Sequence, residues 1–238
     1  MALRIENLNK SFGSLDVLRD VSATIEQGEF VSIVGPSGCG KSTLLDIIAG
    51  AMEYDRGSIK DDGGGERSFV FQSPRLLDWR TVEDNLRLVL KPTDVPESEY
   101  DQLITEYLDM MNLGDIRNSY LRELSGGMQS RVSLIRGLIV PSDLILMDEP
   151  LGDIDELTAR KIREELLDLR KQEGTDKTIV YVTHNIFEAV YLSDRIMVMG
   201  EKPTEFIDIV EVDIERPRDP ENEAIFRTQN RVFDSLPD

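Results

Sequence analysis

The stretch Gly35-Pro-Ser-Gly-Cys-Gly-Lys-Ser-Thr43 constrains this chain more than any other. It fits the spacing G-x-x-x-x-G-K-[ST], and its setting matters as much as its letters. Residues 29–34 are a short apolar run ending at glycine, which predicts a buried strand. Residues 42–49 have helical periodicity and stop at Gly50. A strand that feeds a glycine-rich turn and then a helix aims backbone N–H groups at one point, where phosphate oxygens bind. Gly35, Pro36, Ser37, Gly38, Cys39 and Gly40 form that loop. Lys41 brings a cation to the β and γ phosphates, Ser42 offers a hydroxyl to Mg²⁺, and Thr43 sits near the α phosphate.

The rest of the chain alternates strand-like and helix-like segments. Residues 3–8 alternate in polarity, 21–25 follow a turn near Gly13, and 68–72, 144–147, 178–183 and 195–199 are apolar runs of strand length. Helical patterns cover 81–90, 97–111, 125–139, 157–172 and 186–192. This order predicts an α/β core with a largely parallel sheet. The segment from about 73 to 140 is mostly helical and reads as an inserted subdomain. The acidic, proline-containing tail over 203–238 is too short for an ordinary second domain. DDGGGE, at 61–66, reads as a flexible turn between short strands.

Charge narrows the function. A formal charge of -19 opposes binding to a nucleic-acid backbone or to anionic lipid. Eight of the 27 basic residues are Lys, and this Lys-poor, acid-rich surface fits a salt-loving host or an ordinary acidic cytosolic protein. The start, MALRIENLNK, lacks the pattern of a signal peptide, and no run approaches ~18 apolar residues. A cytoplasmic location is expected.

Further chemistry gathers at predicted strand ends. In LILMDEP, at 144–150, Asp148 is placed to hold the Mg²⁺ shell and Glu149 to polarise a water attacking the γ phosphate. His184, the single histidine, ends a core strand and is placed to bond the γ phosphate. Gln72 can ligate Mg²⁺ and sense the γ phosphate, or simply end a strand. Phe12 is placed either to stack on adenine or to pack in the core.

LSGGMQSR, at 124–131, then poses a puzzle, because it makes a second helix start of small residues, and so a second anion site. The set GPSGCGKST, Gln72, LSGGM, LILMDEP, GDID and THN, in this order, resembles the ATPase subunit of ABC transporters across nearly the whole chain. The resemblance implies one ABC ATPase domain over 1–238, a P-loop NTPase core with an antiparallel β subdomain and an inserted helical subdomain. It implies ATP and Mg²⁺, and two subunits packed head to tail, with a homodimer expected. Ser125, Gly126 and Gly127 would contact the γ phosphate of the partner's ATP, and Asp155 would lie in the loop that couples the two sites. Met128 replaces the usual Gln, and Asp153 and Ile154 replace a small residue and Leu.

Residues 69–86 and 211–219 resemble the nitrate, sulfonate, taurine and bicarbonate importers. That implies import of a small anionic solute through a transmembrane permease, with an extracytoplasmic solute-binding protein acting indirectly. The subunit would sit at the cytoplasmic face of the membrane. Trp79, Leu76 and Leu77 would meet the permease, although Trp79 could instead pack inside the helical subdomain. Two other readings stand beside this one: a soluble ABC ATPase acting on DNA or ribosomes, and a regulatory subunit with little turnover. The charge opposes the first, and intact Glu149 and His184 oppose the second.

Overall fold

The computed structural model describes residues 3–61, 67–171 and 177–237. The expected DDGGGE turn falls outside the described residues beyond Asp61. Two sheets form. The first is antiparallel and three-stranded, in the order β2 (Leu15–Ile25), β1 (Leu3–Phe12), β4 (Arg56–Asp61). Gly13 makes the β1–β2 turn in the left-handed region, at φ 62°, where a side chain would be strained.

The second sheet has six strands in the order β5 (Arg67–Val70), β6 (Leu144–Asp148), β7 (Thr178–Val182), β3 (Phe30–Val34), β8 (Arg195–Met199), β9 (Phe206–Glu211). All its pairs are parallel except β8–β9. β3, β6 and β7 are buried at every position, because helices cover one face of the sheet and the antiparallel sheet with one helix covers the other. That is why they read as unbroken apolar runs.

Between β5 and β6 lie three helices and short 3₁₀ turns: α2 (Val82–Leu90), α3 (Tyr100–Met110) and α4 (Gly126–Leu138). Thr81 caps α2 by accepting from the Asp84 amide. Glu83 on α2 accepts from Arg87 and Arg117, and both arginines also reach Asp101 on α3. Asn85, fully buried, ties the loop before α2 to that helix through the Leu77 amide and the Leu77 and Thr81 carbonyls. The loop therefore has a defined shape, with Leu76 and Leu77 half-buried and Trp79 70% exposed. Trp79 does not pack inside the helical segment.

The tail carries two elements that the sequence pattern does not announce. β9 closes one edge of the large sheet, and α7 (Glu223–Ser235) buries Ile225 and Val232 on the same side as α6 (Ile186–Leu192). Arg218 explains how the tail is held. Its guanidinium donates to the carbonyls of Val190, Tyr191 and Ser193 at 2.8, 3.0 and 2.7 Å, and also to Val212 and Ile214. These include carbonyls at the end of α6, which no further helical turn can satisfy. Arg216 does the same for Leu192 and pairs with Asp194.

Candidate nucleotide site

Parallel register fixes the site. Asp148 on β6 faces Val182 on β7, and Val182 faces Ile33 on β3. The residues that follow Asp148, Val182 and Val34, the last residues of these strands, leave the sheet at its carboxyl edge, side by side.

After β3 the chain turns through the glycine loop into α1 (Lys41–Ile48). Gly35 has no room for a side chain, since a Cβ there would lie 2.8 Å from the Met199 carbonyl oxygen. Gly40 adopts φ 127° and abuts Val17 and Leu18. No side chain caps the first turn of α1, so its amides are available to an anion. The Lys41 ammonium is buried and donates to the carbonyls of Gly35 and Pro36, both at 2.9 Å, which holds it over the loop.

A cavity of about 440 Å³ opens above the loop. Ser37, Gly38, Gly40, Lys41, Ser42 and Thr43 line its floor, and Phe12, Gln72 and Glu149 line its walls. Phe12 is exposed rather than packed in the core. Gln72 lies two residues beyond the end of β5, in the loop rather than on the strand. Gly35 and Pro36 act through their carbonyls on Lys41. Cys39 differs from expectation: its side chain is 3% exposed and packs in the core beneath the loop. Burial pushes its thiol pKa up.

Asp148 is buried, and desolvation raises its carboxyl pKa despite a hydrogen bond from the Ser42 hydroxyl. Its Oδ1 has no hydrogen-bond partner among the described residues. A buried, orphaned carboxylate oxygen beside a serine hydroxyl and the phosphate loop suits a hard divalent cation with oxygen ligands. Glu149 sits at φ 44°, a conformation rare for a residue with a side chain. Its amide is fixed to the Val182 carbonyl at 2.9 Å, and its Oε2 lies 2.9 Å from His184 Nδ1. His184 opens into a neighbouring cavity of about 160 Å³ that Glu149 also lines.

Ser125, Gly126, Gly127 and Asp155 line neither cavity. Ser125 caps α4 by accepting from the Met128 amide at 3.4 Å, and it is exposed with Gly126. Among the described residues nothing requires Gly126 to be glycine, because a Cβ there would meet no atom within 4 Å. Asp155 caps α5 (Glu156–Lys171) by accepting from the Thr158 amide, and the Thr158 hydroxyl, followed by that amide, lowers its pKa.

Three residues of the cavity wall escaped the sequence reading: Leu15, Val17 and Lys202. Lys202 arrives from the β8–β9 connection. Buried Thr204 there donates its hydroxyl to the Cys39 carbonyl at 2.6 Å and its amide to the Val17 carbonyl. No local pattern signals a lysine so far along the chain from the loop it overlooks.

A mainly parallel sheet whose phosphate loop, carboxylates and histidine share one edge, with an antiparallel sheet beside it, defines a P-loop ATPase cassette. The solved dimeric cassette MJ0796, in a post-hydrolysis state bound to ADP and Pi, superposes with a TM-score of 0.78 at 30% identity, covering 90% of this chain and 100% of that one. The ABC transporter family pattern matches residues 18–152. The aliphatic sulfonates import ATP-binding protein SsuB of Bacillus thuringiensis subsp. konkukian is 36% identical over 98% of this chain and 95% of its own length. The taurine import ATP-binding protein TauB of Jannaschia sp. is 41% identical over 84% of this chain and 78% of its own. The chain belongs to the ABC transporter family, and within it to the ATP-binding, ATP-hydrolysing subunits.

Proposed function

We propose that two copies of this chain close head to tail on two ATP molecules and so drive import of a small anionic solute, of the sulfonate or taurine kind, through a membrane permease. The single observation that carries the head-to-tail reading is Gly126. It opens a helix at an exposed position, with no described atom within 4 Å of where a Cβ would stand, and it lines neither cavity beside the phosphate loop. An anion site of that kind serves a nucleotide held by another subunit. The relatives' names support the solute class, and the exposed Trp79 on its braced loop supports a permease contact. Among the described residues no helix is long and apolar enough to cross a membrane, so the reading places the subunit on the permease at the cytoplasmic face. An external solute-binding protein would act through that permease, and no nucleic acid is involved.

In this reading the loop amides and Lys41 bind the β and γ phosphates, and Phe12 stacks on the adenine. Ser42, Gln72 and Asp148 would hold Mg²⁺, which neutralises phosphate charge when bound. Glu149 accepts a proton from the attacking water, and His184 holds Glu149 in place through its 2.9 Å bond and reaches the γ phosphate. Ser125, Gly126 and Gly127 of the second copy close the far side, and Asp155 lies at the seam. Release of phosphate opens the seam and resets the permease.

Glu149→Gln tests this directly. The variant should bind ATP, hydrolyse it very slowly and elute as a dimer in ATP and as a monomer without it. A variant as fast as the parent removes the assigned base, and elution as a monomer at saturating ATP removes the shared site. Co-purification with a permease whose ATPase responds to an organosulfonate tests the solute class.

A further inference from the structure

Glu188 is buried, ionisable and absent from the chemistry above. It sits in the first turn of α6, is 6% exposed, and lines the cavity that holds His184 but not the one above the phosphate loop. Its Oε2 accepts from the Tyr181 hydroxyl at 2.9 Å and from the Thr183 hydroxyl at 3.0 Å. Burial and the Glu188 charge hold the Tyr181 phenol well above the usual range, so it stays a donor. The Thr183 oxygen in turn accepts from the Asn185 amide at 3.0 Å, and the Asn185 side chain accepts from the Glu188 amide at 3.3 Å. His184 is thus bracketed on both sides by residues tied to Glu188.

The network continues in the other direction. Arg163 of α5 is buried, and its Nη1 faces Glu188 Oε1 at 3.6 Å without forming a hydrogen bond. Arg163 also pairs with Glu156, the first residue of α5 and the neighbour of Asp155. The contact between Arg163 and Glu188 has slack, and a shift of α5 can tighten it. A buried carboxylate with three specific partners is expensive to keep as mere packing, because replacing such groups with apolar ones is often neutral or stabilising.

We propose that Glu188 is the positioning residue for His184, and that Arg163 links it to the inter-subunit loop at Asp155. Docking of the second copy at that loop then bears on the angle at which His184 meets Glu149. The inference rests on the role given above to the Glu149–His184 pair.

His184 is the only histidine in the chain, so its imidazole nitrogens give a single set of signals in a ¹⁵N spectrum. Glu188→Ala and the milder Thr183→Val should each shift the Nδ1 signal, whereas Phe226→Ala, on the exposed side of α7, should leave it in place. In turnover, Glu188→Ala should lower kcat about ten- to 100-fold, the range of a small misplacement, with KM for ATP unchanged. Adding it to His184→Ala should cost nothing further, measured as single-turnover phosphate release. If Glu188→Ala does not fold, Thr183→Val takes its place in both measurements. An imidazole signal unmoved in the folded variants, or losses that multiply in the double variant, overturns the role of Glu188. A parental rate in His184→Ala overturns instead the role given to His184.

Discussion

Gly126→Ala should move stability and activity in opposite directions. In the isolated chain a Cβ at Gly126 meets no atom within 4 Å, and the residue opens α4 in an ordinary helical conformation. Alanine there reduces the freedom of the unfolded chain, which stabilises by about 0.4–1 kcal/mol. For a chain of this size that raises Tm by roughly 1–4 °C. In the proposed ATP-bound pair the same methyl group would stand where the partner's γ phosphate must approach the α4 amides. Losing one hydrogen bond to a charged group costs about 1.5–3 kcal/mol. At 1.36 kcal/mol per decade, that is a loss of about ten- to 150-fold in ATPase rate. Thermal melting without nucleotide gives the first quantity, and steady-state phosphate release at saturating ATP gives the second. A variant that melts higher and still hydrolyses ATP at the parental rate would refute the shared-site argument. A variant that melts several degrees lower would show that Gly126 is needed by its own chain.

Other consequences are as direct. Alkylation of Cys39 should be slow in the folded chain, because the thiol is buried and its pKa is raised, and it should accelerate in denaturant; rapid labelling of native protein would contradict the packing beneath the loop. Glu83 is held down to about 2 from 4.5, chiefly by its hydrogen bond from Arg117. A depressed carboxyl stabilises fully above its unfolded pKa and loses that contribution as pH falls through the folded one. The Tm gap between parent and Glu83→Gln should therefore be widest above about pH 4.5 and close toward pH 2. Arg218→Met should lower Tm by at least about 6 °C, since several buried carbonyls lose their donor at a combined cost of about 3 kcal/mol or more; limited proteolysis should then cut first near α7.

How much of the molecule was legible in sequence depended on distance along the chain. The phosphate loop was readable because all its groups come from nine consecutive residues, and local backbone geometry demands glycine at Gly38 and Gly40. β3, β6 and β7 were readable because burial on two faces needs an unbroken apolar run. The start of α4 was readable because Ser125 caps its own helix.

Only the tertiary structure decided the rest. Strand order and register brought Glu149 and His184, 35 positions apart, to 2.9 Å. Packing of the tail made β9 and α7 out of an acidic stretch that buries few apolar residues, and gave Arg218 its carbonyls. The same packing carried Lys202 to the nucleotide cavity and brought Arg163 up to Glu188. Periodicity reports which face of an element seeks the core. Which distant side chains then meet is set by how all the elements pack together, and no single segment encodes that.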